Sequence, residues 1–411
     1  MKSLYRILTN PLVYSIFFLG FASGLPLALS TATLSAWFTK AGISLMGIGM
    51  LSLIGQPYVY KFIWAPLMDR VIPPFLGRRR GWILITQILL IMSIAILGFM
   101  QPTEHLKLMT GLALLVAFFS ASQDISISAL MADAPREEER GLVAAAYITG
   151  YRIAMIVSGA LALIIAQHWG WHVTYLCMSA LMLIGVVTTF ATKEPTVIQP
   201  KQHDFYHDVI QPFTEFFSRK GLWVAIAIIL VMILYKLGDA FTVSLGSTFL
   251  LRHLHFTLTD VGTMYKVVGL TSSIVGGIIG GLLMTRLSLF RALFIFGILQ
   301  TVTNLLYMWL AIVGHHMGVL AITVSGEAFC DGLGNTAFVA LILTLCNPKF
   351  SATQFALLSA LTAIGRVYVG PVAAEMVQQL GWTWFYFWCF VIGLPGVFLL
   401  IPLRRHLTRQ A

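Results

Sequence analysis

Apolar runs of about 20 residues recur along nearly the whole chain, separated by short segments of charged and turn-forming residues. A run of that length crosses a bilayer as an α-helix, whereas the helices of soluble proteins are shorter and amphipathic. We therefore expect an all-α membrane protein. The pattern predicts twelve transmembrane spans, numbered 1 to 12 in chain order: 11–37, 45–68, 82–101, 106–131, 142–166, 171–191, 222–250, 259–284, 292–313, 318–345, 354–379 and 382–402.

One long polar stretch, 192–221, divides these spans into two sets of six. It contains proline, histidine and charged residues, which is typical of a connecting segment rather than of a membrane helix. The predicted organisation is an N-terminal six-helix bundle over 1–191, a linker over 192–221 and a C-terminal six-helix bundle over 222–411.

The composition and the positions of the basic residues add a prediction of how the spans are oriented in the membrane. Charged residues make up 10% of the chain, against about a quarter in soluble domains. The net charge of +10 does not indicate nucleic-acid binding, because 18 basic residues lie in segments on one side of the predicted spans and three on the other. The positive-inside rule then predicts that both termini and the linker are cytoplasmic. The four cysteines have no metal-ligand spacing, so no metal site is expected.

A weak internal repeat supports two related halves. At an offset of 214, the segment Arg140 to Ala160 matches Gln354 to Ala374, which places Arg152 opposite Arg366. Parallel six-helix repeats indicate the major facilitator architecture, in which two bundles alternate access to a central site.

Ionisable residues deep in the spans are the candidates for function, because charges in a bilayer are costly and normally face a bundle interior or a wet cavity. Spans 3, 6, 9 and 12 contain none, and in the major facilitator arrangement these four helices lie against lipid. The deep ionisable residues are Lys61, Asp124, Arg152, Lys236, Asp239, Lys266, Glu327, Asp331 and Arg366. Five cations and four anions predict a cavity for an anionic or zwitterionic solute, with arginines gripping carboxylates.

Four carboxylates are candidates for carrying a proton. Glu327 and Asp331 are four residues apart on one helix face, where like charges repel and favour a carboxyl that holds a proton. Lys236 and Asp239 are three apart, so they either form a structural intrahelical bridge or take part in coupling. Asp124 is either a proton carrier or a polar packing residue, with Arg152 or Lys61 as its partner.

The loop after span 2 carries Asp69 and Arg70, followed by an arginine cluster that begins at Arg78. It resembles the signature loop of major facilitator transporters, in which an acid and basic residues pin helices together at the cytoplasmic side. Glu139 and Arg140, beside span 5, could pair with these residues in one transport state. We predict that these five residues form a gate. Simple positive-inside anchoring is the alternative, and it explains the arginines but not Asp69.

Several stretches resemble one family, the muropeptide permeases (AmpG family) of Gram-negative bacteria, from about Leu19 to the last span. They include GFASGLPLAL, YVYKFIWAPLMDR, GRRRGW, SASQDI, LYKLGDAF and FSATQFALLSALTAIGRVYVGPV. The resemblance implies proton-driven import across the inner membrane of GlcNAc-1,6-anhydroMurNAc, with or without a short peptide, for cell-wall recycling and β-lactamase induction. It also implies no enzymatic activity, a monomer, and no cofactor beyond the proton gradient. Family members often carry an acid where this chain has Ser128, and small residues where it has Asp331.

A muropeptide presents carboxylates and sugar hydroxyls, for which the polar residues of the spans are candidate partners. The predicted substrate-binding residues are Lys61, Gln123, Tyr147, Arg152, Lys236, Lys266, Asn304, Asn335 and Arg366. One alternative is a major facilitator transporter for another bulky anion, such as a siderophore, a peptide or an acyl-CoA-like solute. An intramembrane enzyme acting on lipid-linked sugars is disfavoured, because the charges lie at mid-depth rather than at a membrane face.

Overall fold

The computed structural model describes residues 11–134, 140–194, 215, 217–218, 221–345 and 351–408. Within these ranges the chain forms helices joined by short connections and contains no strand, which confirms the all-α fold class. The helices are α1 Pro11–Lys40, α2 45–70, α3 Arg78–Gly98, α4 Pro102–Asp133, α5 140–169, α6 171–191, α7 Leu222–His253, α8 Leu258–Met284, α9 Leu289–Val313, α10 Met317–Leu345, α11 351–380 and α12 382–398, the last followed by Leu400–Thr408.

Nine helical stretches of the described chain are long and apolar enough to cross a membrane. Two of them, Val143–Ala191 and Ala360–Arg404, each contain two spans, because Gly170 and Gly381 adopt positive φ angles of 82° and 76° and turn the chain. Glycine reaches this backbone region without steric cost. With the broken helix α2, these stretches agree with the twelve predicted spans.

Helix α2 consists of short α-helical pieces joined by 3₁₀ turns. Pro57 and Pro66 lie at the start of two of these pieces, where a residue without an N–H is tolerated but cannot continue the preceding helix. Lys61 begins the 3₁₀ turn between them. The breaks therefore place a charged residue at an irregular point of the backbone.

Aromatic packing follows the glycine turn in the first half of the chain. Trp171 and Tyr175 come directly after Gly170 and pack on Trp37 near the end of α1. The two tryptophan rings stack with centroids 5.3 Å apart. These contacts hold the end of α1 against the start of α6.

The same arrangement recurs in the second half. Trp382 and Tyr386 follow Gly381 at the same spacing and pack on Phe249 near the end of α7, with ring centroids 5.1 and 4.9 Å apart. The two glycine turns are thus structural equivalents, 211 residues apart.

The chain divides into two compact units. Unit 1 falls within Met1–Ile43, Ile54–Gln199 and Thr257–Gly262, and unit 2 within Ser44–Leu53, Pro200–Phe256 and Thr263–Ala411. Most of each unit comes from one half of the chain, and each also takes a short segment from the other half. In unit 2, the Ser52 Oγ donates a hydrogen bond of 2.7 Å to the carbonyl oxygen of Val367 on α11.

Close packing of α1 on α5 shapes unit 1. A Cβ at Gly20 or Gly24 would lie 2.5 Å from the carbonyl oxygen of Tyr147 or 2.6 Å from that of Tyr151. Small residues let membrane helices approach in this way. The contact brings Ser23 of α1 beside the Tyr147 side chain.

Apolar side chains exposed on the charge-free spans match a lipid-facing position. Helix α3 exposes Ile88, Met92 and Ile96, each four residues from the next, and α9 exposes Leu299 and Val302. An exposed apolar stripe at helical spacing is stable in hydrocarbon and costly in water. Helices α8 and α10, which carry deep charged residues, expose apolar side chains as well. The lipid-facing position of the charge-free helices stays a prediction.

Candidate functional site

One carboxylate of unit 1 brings four helices together. Asp124 on α4 forms an ion pair through Oδ2 with the Lys61 Nζ from α2. Its Oδ1 accepts hydrogen bonds from the Tyr147 hydroxyl of α5 at 2.7 Å and from the Ser23 hydroxyl of α1 at 3.2 Å. Of the two partners left open by the sequence, the structure shows Lys61 rather than Arg152.

The partners of Asp124 all donate hydrogen bonds, an arrangement that stabilises an ionised carboxylate. The Lys61 side chain is 36% exposed and that of Asp124 is 19% exposed. The ion pair is therefore partly accessible, as a site that exchanges protons or solute must be.

Two residues predicted to contact substrate are instead fully buried. Gln123 precedes Asp124 and thus projects about 100° around the helix from it; its amide has no hydrogen-bond partner in the described part of the chain. Asn304 accepts a hydrogen bond of 2.9 Å from the Thr242 hydroxyl. Neither side chain is accessible to a solute in this structure.

A second polar cluster lies in unit 2 around Lys236, which occupies the break in α7 between Leu222–Leu234 and Leu237–Ser244. The Lys236 Nζ donates a 2.8 Å hydrogen bond to the Asp331 Oδ1 of α10 and lies 3.8 Å from the Asp239 Oδ2. The predicted intrahelical bridge between Lys236 and Asp239 is thus present, but it is longer than the contact between Lys236 and Asp331.

Gln300 of α9 joins the two aspartates. Its Nε2 donates to the Asp239 Oδ2, and it lies 3.2 Å from the Asp331 Oδ1. The Asp331 side chain is 39% exposed, whereas that of Asp239 is only 11% exposed. Asp239 is therefore the inner carboxylate of the cluster and Asp331 the outer one.

Glu327, one turn before Asp331 on α10, is buried and makes no hydrogen bond or ion pair within the described ranges. It lies within electrostatic range of Asp331, Asp239 and Lys236. One ammonium thus faces three carboxyl groups. Full ionisation of all three would leave two negative charges uncompensated at mid-membrane, which is unfavourable.

The other predicted cations stand apart from these clusters. Lys266 lies on a π-helical segment of α8, with its Nζ 4.6 Å from the centroid of the Tyr265 ring. Arg152 is half-buried and Arg366 exposed, and neither forms a hydrogen bond or ion pair with any described residue. Asn335 is exposed on α10. These side chains retain donors for an anionic or polar solute.

The predicted gate is only partly described. Glu139 and the side chains of Asp69 and Arg140 lie outside the described part of the chain. Arg70 is exposed and Arg78 is half-buried. The pairing of these residues stays a prediction.

A neighbouring contact was missed by sequence reasoning. The Glu194 carboxylate accepts hydrogen bonds from the backbone N–H groups of Arg79 and Arg80, at 2.8 and 3.0 Å. The first N–H groups of a helix have no acceptor within the helix itself, and a carboxylate is favourable at this positive end of α3. The Arg80 Nε donates in turn to the Thr189 carbonyl oxygen at 3.0 Å. The arginine cluster therefore helps join α3 to the end of α6.

Ser23 and Gln300 were also missed, although each left a signal. Ser23 lies between Gly20 and Gly24, where a polar side chain on a tight helix contact requires a nearby partner. Gln300 lies one turn from Asn304 in a span without charges, so two amides share one face.

Comparison with known proteins identifies the family. The family model described as Major Facilitator Superfamily matches residues 16–328. The chain belongs to this superfamily. Over 409 residues it is 50% identical to the anhydromuropeptide permease of Escherichia coli strain K12, which covers 99% of this chain and 83% of that protein. This relationship confirms the prediction that the chain is an AmpG-type permease. It also confirms the prediction of a transporter rather than an enzyme.

Solved structures support the superfamily fold. The nucleoside transporter NupG matches with a TM-score of 0.74 and 14% identity, over 95% of this chain and 99% of that one. A peptide transporter named POT matches with a TM-score of 0.73 and 13% identity, over 97% and 95% of the two chains. At such low identity these two likenesses concern the fold alone.

Proposed function

We propose that this protein imports anhydromuropeptides, GlcNAc-1,6-anhydroMurNAc with or without a short peptide, by proton-coupled alternating access. It acts as a monomer in the inner membrane with both termini cytoplasmic. The imported fragments serve cell-wall recycling and, through it, β-lactamase induction. The observation that carries the substrate class is the 50% identity to the Escherichia coli permease over 99% of the chain.

Proton coupling is supported by carboxylates that lie within the spans and form ion pairs with lysines. In unit 1, Asp124 exchanges between the Lys61 ion pair and a protonated state, in which Lys61 is free to bind an anion. In unit 2, Glu327, Asp239 and Asp331 share a single ammonium. A proton shifts the balance between two transport states only if it binds them with unequal affinity, and rearrangement of these ion pairs supplies that difference.

Solute recognition is supported by cations that form no ion pair with an acidic residue of the described ranges. Arg152 and Arg366 offer guanidinium groups that bind carboxylates through two hydrogen bonds, and Lys266 offers an ammonium beside the Tyr265 ring. The peptide carboxylates of a muropeptide, or the free lactyl carboxylate of the disaccharide without a peptide, match these groups. Tyr147 and Asn335 are partners for sugar hydroxyls.

The test is uptake of labelled GlcNAc-1,6-anhydroMurNAc by proteoliposomes that contain the purified full chain. We expect an inward proton gradient to accelerate uptake, and a protonophore to remove the acceleration. Equal uptake with and without the gradient refutes coupling while leaving the substrate assignment intact.

Competition separates the alternative, a transporter of another bulky anion. Unlabelled anhydro-disaccharide should inhibit uptake, whereas a siderophore, a tripeptide and an acyl-CoA at the same concentration should not. Inhibition by one of those solutes, without inhibition by the disaccharide, would overturn the proposed substrate.

A further inference from the structure

The Lys236 cluster has more carboxylates than its ammonium neutralises. Lys236 contacts Asp331 at 2.8 Å and Asp239 at 3.8 Å, so the three residues alone carry one net negative charge when ionised. Glu327 lies within electrostatic range of all three. A further negative charge near these residues therefore favours protonation of one of the carboxylates.

The two aspartates are held differently. Asp239 is buried and accepts a hydrogen bond from the Gln300 amide. Asp331 is 39% exposed, and its contact with Gln300 is longer, at 3.2 Å. Asp331 also has the shorter contact with Lys236, whose own side chain is 17% exposed. The accessible partner of this lysine is thus Asp331.

Both Lys236 and Gln300 have hydrogen-bonding capacity left over. An ammonium has three N–H donors, and within the described ranges only Asp331 lies within hydrogen-bond distance of the Lys236 Nζ. The Gln300 Oε1 is a buried acceptor without a donor among the described residues. A protonated Asp331 supplies the donor that this amide lacks once the amide reorients.

We infer that a carboxylate of the transported solute replaces Asp331 on Lys236, and that the displaced Asp331 takes up one proton. One solute carboxylate and one proton enter the cluster together, and the Lys236–Asp331 ion pair becomes a Lys236–solute ion pair beside a neutral Asp331. No covalent bond changes. This exchange rests on the proposed function and specifies where in unit 2 solute binding and proton binding are linked.

Other ionisable groups lie near Asp331, and the experiment must exclude their titration as the cause of a pH dependence. Those within electrostatic range of Asp331, besides Lys236, lie on α7 and on α10 itself: Tyr235, Asp239, Glu327 and Cys330. They are coupled to Asp331, so changing Asp331 also changes their proton affinities. If Asp331 takes up the proton, Glu327→Gln should keep the pH dependence that Asp331→Asn loses.

The experiment measures binding of GlcNAc-1,6-anhydroMurNAc to the full chain in lipid nanodiscs between pH 6 and pH 8. Uptake of one proton with the ligand makes Kd rise about tenfold per pH unit. Asp331→Asn should reduce this dependence to about twofold over the whole range and bind more tightly than the wild type at pH 8, because Lys236 is no longer occupied. Asp331→Glu should retain the dependence, and so should the control Glu104→Gln, which changes an exposed acid of α4.

A ligand analogue makes the test independent of folding of the variants. With the lactyl carboxyl converted to a carboxamide, wild-type binding should weaken and lose its pH dependence. If the Kd of Asp331→Asn still rises tenfold per pH unit, the proposed exchange is wrong. It is also wrong if the Kd of the wild type does not change with pH. Gradient-driven uptake in proteoliposomes would still uphold the proposed function in both cases. Failure of the wild type to bind the disaccharide would refute both.

Discussion

Replacing Lys61 by methionine removes the cation that holds Asp124 and leaves an unbranched side chain one atom shorter. Removing one partner of a buried ion pair costs about 3–5 kcal/mol of stability. The cost is smaller here because Lys61 is 36% exposed, so water already shares its site, and because Tyr147 and Ser23 still donate to the carboxylate. We expect a loss of about 2 kcal/mol, which lowers the folded-to-unfolded ratio roughly 30-fold.

The second substitution, Asp124→Asn, removes the charge but leaves an oxygen that accepts the Tyr147 hydroxyl. We expect a loss of about 1 kcal/mol for this variant. In the double variant no unpaired charge remains, so the loss should be smaller than the sum of the two. The coupling free energy between Lys61 and Asp124 should be about 1–2 kcal/mol.

The measurement is the free energy of unfolding in mixed detergent and SDS micelles for the wild type, both single variants and the double variant. Lys40→Met, which changes an exposed lysine at the end of α1, controls for the loss of a positive charge. If the Lys61 variant is no less stable than the Lys40 variant, or if the two losses simply add, the ion pair does not stabilise the helices as argued.

Two further predictions follow from contacts outside this pair, and a third follows from the gate predicted by the sequence. Gly24→Ala should destabilise the protein by about 1–3 kcal/mol, because the new methyl meets a backbone carbonyl of α5; Gly281→Ala, where no atom lies within 4 Å of the new Cβ, should be neutral or stabilising in the same unfolding assay. Glu194→Ala should cost about 1 kcal/mol by leaving two N–H groups of α3 without their carboxylate, and an unchanged free energy of unfolding would contradict this role. Exchanging the charges of Asp69 and Arg78 together should restore uptake lost in either single reversal, and no rescue would count against direct pairing in the gate.

The helices were predictable because hydrocarbon imposes a strict requirement on length and polarity. Predicted and observed boundaries agree within a few residues for most spans. The beginnings of α3 and α4 each differ by four residues, since the predictions began at 82 and 106 and the helices begin at Arg78 and Pro102. The difference at α3 concerns charged residues. The arginines were interpreted as a loop, whereas they form the first turn of the helix, capped by Glu194.

The deep charged residues could be identified from the sequence, but the side chains that they contact were harder to predict. Asp124 and Lys236 were singled out by their depth alone, but their closest partners depend on how the helices rotate about their axes. The choice between Arg152 and Lys61 required coordinates. So did the finding that Asp331 lies closer than Asp239 to the Lys236 ammonium. The burial of Gln123 and Asn304 was missed for the same reason, since a helix face cannot be assigned without its neighbours.

The paired glycine turns have a consequence for the history of the chain. A bend, a tryptophan and a tyrosine recurring 211 residues apart, in the same contacts, are what the doubling of an ancestral gene for a six-helix protein leaves behind. Scaffold features of this kind survived in both copies. The polar interiors did not, because one copy now contains a lysine with a single aspartate partner and the other a lysine shared between two. The glycine turns and their aromatic contacts therefore recur in both halves, whereas the two lysine–aspartate clusters differ.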